Sequence, residues 1–161
     1  MCRFATAGES HGQALVRVLG GMPAGVPLLA GDVDEQLARR QQGYGRGRRM
    51  QIERDQVELL AGIRAGETLG SPIAMLVRNR DWKNWQEIMD PAPRPEDVGE
   101  GRKRQVTRVR PGHADLTGVL KYDREDARDI LERASAREDT ASVAAGAVCT
   151  RLLDEFRVRI G

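Results

Sequence analysis

The sequence holds two histidines, His11 and His113, and each lies in a polar loop bounded by glycine. His11 stands in Gly8-Glu9-Ser10-His11-Gly12, and His113 in Arg108-Val109-Arg110-Pro111-Gly112-His113-Ala114-Asp115. An imidazole in such a loop stays accessible to a ligand, which suits proton donation and acceptance near neutral pH. Taken singly, a loop histidine is more often an ordinary surface residue; two in settings of this kind favour acid and base work. Glycine lets a ligand come close to the backbone, and the adjacent Ser, Arg and Asp can fix an anion and an imidazole tautomer.

Guanidinium groups flank both loops. Arg39, Arg40, Arg46, Arg48 and Arg49 surround Gly43-Tyr44-Gly45, and Arg102, Lys103, Arg104, Arg108 and Arg110 precede His113. Of 26 basic residues 23 are arginine, whose planar fork matches carboxylate and phosphate oxygens, although compositional bias in the gene accounts for the skew as a whole equally well. Exposed charge runs are commonly solvated faces, and nucleic-acid binding is the next reading. Against it, the Arg39 to Arg49 segment is broken by glycines and is no continuous helical stripe. A compact anion with one or two phosphates and carboxylates fits better. Charge-assisted hydrogen bonds at ~1.5–3 kcal/mol each would let three or four hold a small metabolite against desolvation. A third constellation is Glu132-Arg133-Ala134-Ser135-Ala136-Arg137-Glu138-Asp139-Thr140. There Ser135, Arg137 and the free N–H groups of a new helix converge on one anion site; read alone, the segment is a helix-to-helix turn with Asp139 or Thr140 as N-cap.

The elements that must position these groups are legible in outline. Arg3 to Ala7 and Ala14 to Leu19 read as two strands joined by the tight loop that presents Ser10 and His11. Asp32 with Glu35 resembles a capping box, Val33 and Leu37 share a helical face, and Gly43 is a stop. Apolar groups between Met50 and Val77 predict two or three antiparallel strands. Asp81 to Asp90 carries Trp82 and Trp85, and a long exposed loop is expected through about Gln105. Asp123 is expected to cap a helix with Ala127, Ile130, Leu131 and Ala134 on one face. A second helix from Thr140 to Phe156, rich in small residues, is expected to be buried. Phe156 to Gly161 alternates with period two and predicts a strand.

Composition narrows the functional classes. With 161 residues, 40% hydrophobic and 31% charged, the chain has one domain's length and the means to bury a core. Aromatics are 4%, which argues against a base-stacking platform. The 26 basic and 24 acidic residues nearly cancel, unlike a protein that coats a polyanion. Cys2 and Cys149 stand far apart with no second ligand at metal spacing, so no disulfide scaffold and no metal site are expected. The uncharged stretch from Val18 to Gly31 has 14 residues with four Gly and two Pro, too short and too broken to span a bilayer. A cytoplasmic protein without a membrane partner is the expectation.

Six motifs in order resemble the chorismate synthase family. They are Gly8-Glu9-Ser10-His11-Gly12, Arg39-Arg40-Gln41-Gln42-Gly43-Tyr44-Gly45-Arg46-Gly47, Leu69-Gly70-Ser71-Pro72-Ile73, Asp81-Trp82-Lys83-Asn84-Trp85, Arg110-Pro111-Gly112-His113-Ala114-Asp115 and Glu132-Arg133-Ala134-Ser135-Ala136-Arg137. The resemblance covers essentially residues 1–161 and implies an α+β fold with helices packed between antiparallel β-sheets, as the N-terminal portion of a single domain. It implies a lyase that eliminates phosphate in 1,4-anti fashion from 5-enolpyruvylshikimate 3-phosphate to give chorismate beside reduced FMN, in a homotetramer that binds no nucleic acid. By the same resemblance His11, with Ser10 beside it, would meet the departing phosphate, and His113 would serve the flavin. Arg40, Arg49, Arg110 and Arg137 would bind substrate, with Arg46 in the same clamp. Arg133, Ala134 and Ser135 would line the FMN site, with Arg40 and Arg46 touching NADPH in members that reduce their own flavin. Ala134 stands where many members have Ser, which removes one hydroxyl donor. Members of the family are about twice as long, so the chain reads as truncated and is expected to have weak or no catalysis alone. Two rival readings are a basic nucleic-acid-binding module and an inactive gene remnant.

Overall fold

A computed structural model describes residues 1–42, 54–93 and 105–160. Its chain order begins with β1 (Arg3–Ala7), β2 (Ala14–Gly20), β3 (Ala24–Pro27) and α1 (Ala30–Gln41). Four short strands follow: β4 (Val57–Ala61), β5 (Ile63–Arg64), β6 (Glu67–Leu69) and β7 (Ile73–Arg78). A 3-10 turn (Arg80–Asn84) leads into α2 (Gln86–Met89). Then come α3 (Asp115–Tyr122), α4 (Arg128–Leu131), a second 3-10 turn (Ala136–Glu138) and α5 (Asp139–Glu155).

The strands form two antiparallel sheets, one ordered β1-β2-β7-β4 and one ordered β3-β6-β5. Alternation in β2 and β7 decides the buried face. Leu15, Leu19, Ile73, Met75 and Val77 point inward, and Val33 and Leu37 of α1 and Ala144, Ala145, Ala147 and Val148 of α5 close over them. Helix α5 packs against α1, β2, β3 and β7, and its small side chains allow that close approach. The aliphatic core and the mixed α+β architecture agree with the sequence expectation.

Several local expectations need correction. Asp32 is no N-cap: α1 starts at Ala30 with Leu29 as the capping residue, and Asp32 accepts from the Leu29 N–H at 2.7 Å. Asp123 does not open a helix; it closes α3 in a left-handed conformation, φ 51°. The expected face of Ala127, Ile130, Leu131 and Ala134 is cut to the single turn of α4, with Ala127 buried and Ala134 exposed, because turns on both sides carry the backbone elsewhere. Ser135, rather than Asp139 or Thr140, caps the turn before α5 by accepting from the Arg137 N–H. Residues 156–160 form a turn and an irregular segment; Arg157 turns the chain with φ 57°, and no strand among the described residues pairs with it. The stop at Gly43, the start of the Met50 to Val77 region and most of the long loop before Gln105 lie outside the described residues.

Two glycines are required by close approach. Gly62 has φ 85°, and a Cβ there would lie 2.5 Å from the Pro72 carbonyl oxygen, so the β4–β5 corner accepts no side chain. Gly118 lets α3 press onto α4, since a Cβ would run into the branched Ile130 side chain.

Candidate active site

The loop between β1 and β2 is pinned from three directions. Asn79, just after β7, donates through Nδ2 to the Gly12 carbonyl at 2.7 Å and to the Glu9 carbonyl at 3.2 Å. The Ser10 N–H donates to the Glu132 carbonyl at 2.9 Å, and the Ser135 hydroxyl lies 3.1 Å from that of Ser10. The His11 ring stacks on Trp85 with centroids 3.9 Å apart and an interplanar angle of 29°. A short polar loop, otherwise free to fluctuate, is thereby fixed by elements far apart in sequence.

Glu132 lies under the loop at 1% exposure. Its Oε2 accepts from the His11 N–H at 2.9 Å and lies 2.8 Å from His11 Nδ1, while Oε1 lies 3.0 Å from Nδ1 and accepts from Arg128 at 2.8 Å. Burial by itself pushes the Glu132 carboxyl up, but the bonds and charge of His11 and the charge of Arg128 outweigh it and hold the group below the usual range.

The second imidazole has a similar arrangement. His113 Nδ1 bonds Asp115, which is fully buried and also accepts from the Arg110 N–H at 3.0 Å and from Arg110 Nε at 3.2 Å. Burial pushes the Asp115 carboxyl up, and the bonds from Arg110 and His113 bring it below the usual range. The described contacts of His113 run to Arg110 and Asp115 and do not reach His11. The two imidazoles thus occupy separate clusters.

A depressed carboxylate binds its proton less readily folded than unfolded, so its stabilisation is present above ~4, the ordinary carboxylate value, and is lost as pH falls through the lower folded value. Acid is therefore expected to unfold the chain progressively below that range. Denaturant titrations at stepped pH check this: Asp115→Asn should flatten the acid limb, and an unchanged limb would count against the Asp115 contribution.

Arg137 turns inward. Its Nη1 bonds both oxygens of buried Asp55 at 2.6 and 2.7 Å, its Nε bonds the Asn79 side-chain oxygen at 2.8 Å, and Thr140 lies 3.2 Å away. Arg40 approaches Asp55 at 3.7 Å and donates to the Ala136 carbonyl at 2.8 Å. Arg133 reaches back to Thr6 on β1 and pairs with Glu138. Arg110 is half exposed beside His113. Arg46 and Arg49 lie outside the described residues. The structure thus gathers Ser10, His11, Ser135 and Arg137 around one loop and places Arg110 with His113. Sequence reasoning gave no role to Asp55, Asn79, Trp85 or Glu132. Trp85 and Glu132 stood inside quoted motifs, whereas Asp55 and Asn79 carried no local signal.

Among the hollows lined by described residues, two open beside α4. One of about 500 Å³ is lined by Tyr122, Arg124, Asp129, Ile130, Arg133 and Ala134. The other, about 370 Å³, takes in Glu9, Asp90, Arg124, Arg128 and Glu132. Among the described residues no cluster of His, Cys, Asp or Glu could hold a metal ion, and no helix is long and apolar enough to cross a membrane.

Two antiparallel sheets with packed helices define an α+β protein whose loops set imidazoles on buried carboxylates among guanidinium groups. The chorismate synthase family model matches residues 2–161, and the chain belongs to that family. It is 59% identical over 158 residues to a chorismate synthase of Geobacillus sp., and 60% identical over 160 residues to one of Moorella thermoacetica. These matches cover 98% and 99% of this chain and 40% of each relative, so the chain spans about two fifths of their length. A crystal structure of chorismate synthase superposes with a TM-score of 0.73 at 43% identity, over 99% of this chain and 36% of that one.

Proposed function

We propose that the chain supplies the phosphate-leaving side of a chorismate synthase site, for a lyase that removes phosphate from 5-enolpyruvylshikimate 3-phosphate in 1,4-anti fashion within aromatic amino-acid biosynthesis. The observation that carries this reading is His11, beside the Ser10 and Ser135 hydroxyls, backed by an ionised buried carboxylate. A departing phosphate gains negative charge as its C–O bond breaks, and a fixed N–H donor stabilises that charge more in the transition state than in the ground state. Arg40, Arg110 and Arg137 add positive potential, with the Arg137 charge shared with Asp55, so that Arg137 also acts through Asn79 to hold the loop. Arg49 belongs to the same reading.

The larger hollow fits one part of a flavin mononucleotide: Tyr122 and Ile130 offer apolar walls, and Arg124 and Arg133 offer cations for a phosphate. Arg133 and Ala134 would line it, with Ser135 at its border with the His11 loop and His113 holding a proton for the ring system. When bound there, reduced FMN would supply electron density transiently, with no net redox change. NADPH contact by Arg40 and Arg46, assembly as a homotetramer and a cytoplasmic location complete the proposal.

The test is calorimetric titration of the purified chain with 5-enolpyruvylshikimate 3-phosphate, with and without FMN under reducing anaerobic conditions, while chorismate is followed by absorbance. Saturable binding of the phosphorylated substrate with little or no turnover by the chain alone is expected. Binding of neither compound overturns the reading; salt-sensitive nucleic-acid binding indifferent to FMN would replace it.

A further inference from the structure

We propose that Glu132 is the positioning residue of His11: its carboxylate holds Nδ1 as the proton-bearing nitrogen, Trp85 holds the ring plane, and Nε2 is therefore the nitrogen that carries the second proton of the imidazolium and donates it to the departing phosphate. The inference deepens the phosphate-elimination reading above and rests on it for the identity of the anion.

The argument is one of donors and acceptors. Both Glu132 oxygens face Nδ1, at 2.8 and 3.0 Å, and both are also taken by other donors, the His11 N–H on one and Arg128 on the other. An ionised carboxylate only accepts, so Nδ1 must carry a proton. A free neutral histidine favours the other tautomer, with the proton on Nε2; the buried carboxylate reverses that preference, as second-layer carboxylates do for catalytic imidazoles. The ring has one torsion left that could swing it off the carboxylate, and the stack on Trp85 opposes it. Trp85 is itself held, its indole N–H donating to Asp81 at 2.8 Å, with the Arg128 guanidinium 5.3 Å from the ring centroid. Arg128 therefore braces both the carboxylate and the tryptophan. A carboxylate serving the fold alone would be satisfied by Arg128 and the loop N–H; the contact to Nδ1 sets the chemistry of the ring.

The test is a long-range proton–nitrogen correlation spectrum of the chain labelled with ¹⁵N-histidine, at a pH high enough that both rings are neutral. The unmodified chain is expected to show His11 with a protonated Nδ1 and a bare Nε2. Glu132→Gln turns one acceptor oxygen into a donor, and His11 is expected to shift to the Nε2–H form while the His113 pattern stays. Asp115→Asn should do the reverse. An Nε2–H pattern for His11 in the unmodified chain, or an Nδ1–H pattern unmoved by Glu132→Gln, overturns the proposal. Should Glu132→Gln unfold, seen as loss of the His113 pattern too, the unmodified spectrum decides, since each of its two patterns supports or sinks the idea. No substrate enters this measurement. Failure of the chain to bind the phosphorylated substrate would remove the elimination reading and leave the tautomer result standing.

Discussion

Arg137→Met is expected to lower the stability of the chain by ~3–5 kcal/mol, the usual consequence of removing one partner of a buried ion pair. Asp55 is fully buried and takes two short bonds from Arg137. Among the described residues its carboxylate then keeps Arg40 at 3.7 Å, too long for a hydrogen bond and only a partial replacement. Asn79 loses its side-chain partner as well and holds the His11 loop less firmly. Denaturant unfolding measures the loss, and the double variant Asp55→Leu/Arg137→Met should recover most of it, because two apolar groups leave no charge uncompensated. A single variant as stable as the unmodified chain would show that the Asp55 pair adds nothing net to the fold.

The second large effect concerns binding. His11→Ala is expected to weaken affinity for 5-enolpyruvylshikimate 3-phosphate by about 10- to 100-fold, the equivalent of one charge-assisted hydrogen bond at ~1.5–3 kcal/mol. The fold should survive, because Glu132 keeps Arg128 and the backbone N–H of residue 11 as partners. Calorimetry on the folded variant is the check, with circular dichroism to establish the fold. Unchanged affinity would show that His11 is not in contact with the phosphate.

How much of this was legible beforehand follows from the range of each interaction. The β1–β2 loop that presents Ser10 and His11, the buried helix over residues 139–155 and the aliphatic core depend on local pattern, glycine placement and periodicity, and these are visible in a string of letters. The acidic partner of His113 was visible too, because Asp115 lies two residues away. Asp123 was misread for the opposite reason: an aspartate can cap a helix start or take a left-handed C-terminal turn, and here its N–H bonds the Val119 carbonyl and closes α3.

By itself the sequence determined the family, through six motifs in order, and the residue types available for anion and proton chemistry. Tertiary structure alone decided their partners. Glu132 comes under His11 across 121 residues, and Asp55 meets Arg137 across 82. A carboxylate's effect on an imidazole or a guanidinium depends on ångström separations and on exclusion of water, and sequence spacing sets neither; the chain must fold before those charges share one low-dielectric place.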